Sequence, residues 1–178
     1  MSNASRLNGV IRAWESGKPA FASFASADRT TAIAFSTSPY DGIVFEMEHN
    51  PWDPNALQDA LQYLLNRQQI VKSGTVAPAV TPFVRIPPNG GELNQWFAKQ
   101  ALDRGAYGIV WPHIGTVEQA TNAVAACRYP RPKGSARYEP AGLRGDGRLR
   151  PAATGGFQTR NIMPRLTSGR SIPTARSS

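Results

Sequence analysis

The chain has 178 residues, of which 40% are hydrophobic, enough for one domain with a real core. No apolar run reaches the roughly 18 residues of a membrane span, and residues 1–12 lack a signal peptide's continuous apolar stretch. Cys127 is the sole cysteine, so no internal disulfide can form; together these features predict a soluble, cytoplasmic protein.

The net charge of +8 invites a nucleic-acid reading, but its distribution argues against one. Residues 1–147 carry 14 basic against 12 acidic residues, a balance of +2. The other +6 comes from Arg148, Arg150, Arg160, Arg165, Arg170 and Arg176, in a stretch without a single acid. Residues 148–178 are rich in Arg, Ser, Thr, Gly and Pro, a composition that buries too little apolar surface to offset ordering entropy. A disordered tail is expected there.

Residues 1–147 alternate between helix and strand patterns. Leu7, Val10, Ile11 and Trp14 recur at helical spacing and predict a leading helix. A short apolar strand follows over Phe21–Ala25, and Asp28 is placed to cap a helix reaching about Thr37. Gly42–Phe45 is a continuous apolar run, the mark of a strand buried on both faces. Asp53-Pro54 is a cap followed by proline at the first helical position. The helix it opens aligns Ala56, Leu57, Ala60, Leu61, Leu64 and Leu65 on one face.

Ala79–Ile86 reads as a third strand, closed by Pro87-Pro88 and by Asn89-Gly90-Gly91. Leu93, Trp96, Phe97, Ala101 and Leu102 predict a helix ending near Gly105. Gly108–Trp111 is a fourth strand, and Thr116 with Gln119 forms a capping-box pattern for a helix through Cys127. Four βα units in regular alternation predict an α/β fold with a parallel sheet and helices outside it.

Polar residues gather where these strands end. In a β/α barrel that end carries the reactive groups. The second strand finishes in Glu46-Met47-Glu48-His49, the third in Arg85, and the fourth in Trp111-Pro112-His113. His49 beside Glu48 and Glu46 suits a general base, because a nearby carboxylate orients an imidazole. The alternative is a polar loop residue packed beside Asn50 and Trp52. Arg85 could bind a carboxylate or enolate in two-pronged fashion, form an ion pair with Glu46 or Glu48, or do both. His113 reads as a loop histidine in preference to a metal ligand. No His/Cys/Asp/Glu spacing makes a convincing metal site. Gly90-Gly91 is a turn without phosphate-loop features, and Cys127 reads as a small core residue.

These segments carry a family resemblance. Asp41–His49 resembles the HpcH/HpaI aldolase segment that ends in an acid, a small residue, Glu and His. Phe83-Val84-Arg85-Ile86-Pro87 is similar to that family's Val-Arg-x-Pro strand end, and Gly105–His113 to its Gly-Ala-x-Gly segment. Glu118-Gln119-Ala120, Arg128-Tyr129-Pro130 and Gly142-Leu143-Arg144-Gly145 follow in the family's order, so the match runs from about Arg6 to Gly147. The resemblance implies a (β/α)₈ (TIM) barrel, of which this chain holds the first four βα units, and usually a homo-oligomer. It implies a class II aldolase, a lyase that makes or breaks a carbon–carbon bond beside a pyruvate unit of a 2-oxo acid, with an aldehyde as the second partner. It also implies a divalent metal, Mg²⁺ or Mn²⁺, acting as a Lewis acid on the enolate. By the same resemblance His49 is the base, Glu46 its acidic partner (typically Asp in the family), and Arg85 the enolate-binding arginine. Trp111, Pro112 and His113 line the substrate.

The family's metal ligands lie in Ile-Glu-x and Gly-x-x-Asp-Leu segments that this sequence lacks. Residues 1–147 are thus expected to be a partial aldolase barrel, inactive by itself. A non-catalytic remnant or binding fragment is the alternative, with a nucleic-acid binder using the arginine tail as a third. Residues 148–178 are expected to be an out-of-frame translation. Reading from the last base of the Ala153 codon, one allowed choice of third bases gives Tyr-Trp-Gly-Val-Ser-Asn-Gln-Glu-Tyr-Tyr-Ala-Lys. That peptide resembles the Arg-Tyr-Trp-Gly stretch following Arg-Gly-Asp-Gly in the family. Sequencing the gene tests this, since the shifted frame should stay open past codon 178.

Overall fold

A computed structural model describes residues 6–88, 94–136 and 138–145. The expected tail over 148–178, its out-of-frame origin and the turn at Asn89–Gly91 lie outside the described residues. The elements run α1 (Gly9–Glu15), β1 (Ala22–Ala25), α2 (Arg29–Phe35), β2 (Gly42–Glu46), α3 (Pro54–Leu64), α4 (Arg67–Ser73), β3 (Thr81–Arg85), α5 (Trp96–Arg104), β4 (Gly108–Val110) and α6 (Val117–Cys127). The strands form one parallel sheet in the order β1-β2-β3-β4. Four βα units stand side by side in chain order, as the alternation predicted. No described helix is long and apolar enough to cross a membrane.

Local chemistry sets the helix starts. Asp28, Asp53 and Thr116 each accept a hydrogen bond from a first-turn amide, and Thr116 and Gln119 complete the capping box in both directions. The helix α4 was not anticipated. None of its residues is buried, so it has no apolar stripe to betray it, and it rests on an Asn66 cap and a left-handed Gly74 exit.

The core lies between the sheet and its outer helices. Ile43, Phe45, Met47, Val84 and Ile86 point outward from the strands and pack with Leu57, Ala60 and Leu64 of α3 and Ala98 and Ala101 of α5. The opposite face of the sheet carries the alternate strand residues. There Phe83 lies against Gly108, and a Cβ on Gly108 would overlap the Phe83 ring. At the amino ends of the strands α1 forms a floor. The Gly9 amide donates to the buried Thr81 hydroxyl at 2.8 Å, and Val10 packs beside Gly42.

Candidate functional site

Strand phase decides what meets at the carboxyl end of the sheet. Successive side chains alternate between faces. Phe45 and Met47 face the core, so Glu46 and Glu48 share the inner side. The register pairs Glu46 with Arg85, and Arg85 with Val110. Arg85 therefore projects toward the same side as both glutamates.

The Arg85 guanidinium forms an ion pair with Glu46 through Nη2, and its Nε lies 3.1 Å from Glu48 Oε2. From β1 the Phe24 ring closes the remaining side, 4.6 Å from the guanidinium carbon. Glu46 Oε1 accepts from the backbone amides of Glu48 at 2.7 Å and His49 at 3.2 Å, which folds the chain sharply after β2. Burial works to raise the Glu46 carboxyl pKa. The Arg85 side chain and the two amides outweigh it and hold the carboxyl below its ordinary value. Glu46 in turn raises the Arg85 guanidinium above its usual range.

Glu48 is the residue on which the cluster converges. Its side chain is only 5% exposed, and it lies 2.9 Å from His113 Nε2 and 3.7 Å from His49 Nε2 as well as beside Arg85. The acid nearest the His49 imidazole is thus Glu48, whereas Glu46 touches His49 through its backbone amide. Glu48 was recognisable only as a neighbour of His49 and a possible partner of Arg85. Its two-residue spacing from Glu46 was the signal that puts both acids on one face.

The fourth strand end divides. His113 reaches back to Glu48. Trp111 is partly buried against the sheet–helix core, in phase with Ile109, and Cys127 on α6 packs against the same core. Burial raises the Cys127 thiol pKa, opposed by Trp111 and by the Arg144 charge, in keeping with a core position. Arg144 itself pairs with Asp103 at 2.6 Å and covers the Tyr129 ring, pinning the segment after α6 onto α5.

Among the described residues, no group of three His, Cys, Asp or Glu side chains could hold a metal ion. Glu46 and Glu48 direct their oxygens at Arg85 and His113. The described residues therefore do not fit the divalent metal centre that the resemblance implies.

A parallel β/α sheet with acids, a guanidinium and imidazoles gathered at the carboxyl ends of three strands has the layout of β/α-barrel proteins, whose reactive groups lie at that end. Residues 21–151 match the family model for HpcH/HpaI aldolase/citrate lyase. The chain belongs to this family. It is 31% identical over 159 residues to the hydroxypyruvate/pyruvate aldolase of Roseobacter denitrificans, a match spanning 89% of this chain and 53% of that one. The hydroxypyruvate/pyruvate aldolase of Paraburkholderia phytofirmans is 34% identical over 142 residues, 79% of this chain and 44% of its own. Among solved structures, an HpcH/HpaI aldolase/citrate lyase family protein from Burkholderia cenocepacia superposes with a TM-score of 0.63 at 28% identity, over 88% of this chain and 56% of that one. The chain spans about half the length of the relatives it matches.

Proposed function

We propose that this chain carries the base-and-arginine half of a carbon–carbon lyase site acting on a pyruvate-derived 2-oxo acid. The observation that supports this most is the Arg85 guanidinium held between Glu46 and Glu48 with His49 beside Glu48, in a family whose similar members include hydroxypyruvate/pyruvate aldolases. In the cleavage direction His49 takes the proton from the C4 hydroxyl of a 4-hydroxy-2-oxo acid. The C3–C4 bond breaks, the aldehyde leaves, and the electron pair enters the C2–C3 enolate. Arg85 stabilises the developing charge on the C2 oxygen through two-pronged hydrogen bonding. Return of the proton from His49 to C3 then yields pyruvate and restores the base.

Pro112 and His113 are proposed to border the substrate, with Trp111 shaping that loop from its core side. Mg²⁺ or Mn²⁺ is the proposed cofactor of the complete barrel, with ligands from outside the described residues, and the proposed assembly is a homo-oligomer in the cytoplasm. The half described by residues 6–145 is proposed not to turn over alone, because its four-stranded parallel sheet leaves β1 and β4 as edge strands. A second reading, a non-catalytic binding fragment, is favoured by those same edges.

The test is pyruvate in D₂O with Mn²⁺, with loss of the methyl proton signal followed by NMR. A full-length barrel carrying these residues should exchange the C3 protons and cleave a 4-hydroxy-2-oxo acid, and the 178-residue chain should do neither. A full-length barrel inactive in both assays sinks the lyase reading.

A further inference from the structure

His113 is the only non-glycine residue with positive φ among the described residues, at 57°. That left-handed conformation is uncommon for a side chain with a Cβ, although histidine enters it more readily than most. It has a geometric consequence. The β4–α6 loop begins at the end of β4, which pairs with β3 and not with β2. The kink at His113 turns the imidazole back across the end of β3, so that Nε2 comes within 2.9 Å of Glu48 Oε1, beyond β2. The other end of the loop is fixed, since the Gly115 and Thr116 amides both donate to Gln119 Oε1 at the start of α6.

The loop is therefore held at two points, by His113 on Glu48 and by Gln119 on the Gly115 and Thr116 amides. The groups facing Glu48 are Arg85 from β3, His113 from the β4–α6 loop, and His49 and Glu46 from its own segment. His113 thus meets the one carboxylate of the cluster that Arg85 and His49 also approach. The His113 side chain is 72% exposed while its Glu48 partner is 5% exposed, so the contact closes a buried group from the solvent side.

We propose that His113 is a positioning residue: by pairing with Glu48 it fixes the carboxylate that orients Arg85, and it holds the β4–α6 loop over the site. The geometric part stands on the contacts above. Its functional part rests on the reading of Arg85 as a binder of a 2-oxo carboxylate or enolate. A ligand that binds Arg85 in the orientation Glu48 sets would favour the ordered loop, and a loosened loop would bind such a ligand less well, as reciprocity of coupling requires.

The experiment uses NMR on the full 178-residue chain, with oxalate as the enolate-like probe. His113→Asn keeps a residue that tolerates positive φ but shortens the side chain away from Glu48. In the wild type the loop amides from His113 to Gly115 should have order parameters near 0.85, falling below about 0.6 in His113→Asn. Glu48→Gln should loosen the same amides, and the double variant should add nothing, because one contact has been removed either way. Unchanged loop order in His113→Asn overturns the proposal, even if Glu48→Gln fails to fold. The second arm measures oxalate affinity, expected to fall about tenfold in His113→Asn, the usual size for loss of a supporting partner. If the wild type binds no oxalate, the reading of Arg85 fails while the loop result still decides the positioning role. Equal oxalate affinity in wild type and His113→Asn overturns the functional part.

Discussion

Glu46 on β2 and Arg85 on β3 are register partners in the parallel sheet, and their side chains meet as an ion pair at its carboxyl end. The pairing sets how stability responds to acid. Glu46 has a folded pKa below its unfolded one, so its ionised form favours the folded state. That contribution is fully present above the unfolded glutamate pKa of about 4.3 and is lost as pH falls through the lower folded value. The urea midpoint should drop over this acidic window. Glu46→Gln should flatten that part of the profile, and an unaltered slope in the variant would contradict the assignment.

Activity in a complete barrel carrying these residues should depend on two side chains. His49→Ala is expected to lower the carbon–carbon cleavage rate by about 10²- to 10⁴-fold, the usual worth of a general base. Arg85→Lys should also be severe. A lysine ammonium cannot reproduce the fork between Glu46 and Glu48 or offer paired donors to an enolate. Steady-state kinetics on both variants check this, and near-wild-type kcat in both would remove His49 and Arg85 from the mechanism.

Metal binding gives a third expectation. The acids at the site already face Arg85 and His113. Calorimetry of the 178-residue chain with Mn²⁺ or Mg²⁺ should show no stoichiometric site. One tight site per chain would make Glu46, Glu48 and His113 the first residues to substitute.

The inner layer of the sheet offers a packing test. Gly108 faces the Phe83 ring at the position where β3 and β4 are register partners. Gly108→Ala should destabilise the fold by about 1–3 kcal/mol through overpacking. Adding Phe83→Ala should remove the clash, so the two effects should be strongly non-additive in urea melts. Simple additivity would mean that the contact is not what keeps glycine there.

The one-dimensional pattern determined the fold class, since βα alternation, caps at Asp28, Asp53 and Thr116, the apolar run Gly42–Phe45 and the strand read over Ala79–Ile86 are local or short-period signals. It also determined that charged groups cluster at strand ends, and in motif order it carried the family. It could not reveal α4, whose stability owes nothing to a buried stripe. Nor could it tell which acid serves which cation, because contacts such as Glu48 with His113 join residues far apart in the chain and depend on sheet register and one left-handed backbone angle. Trp111 and His113 are two residues apart and look equivalent in sequence. Tertiary structure separates them, because strand phase sends the Trp111 side chain into the core, while the turn after Pro112 brings His113 back over the inner side of the sheet to a buried carboxylate.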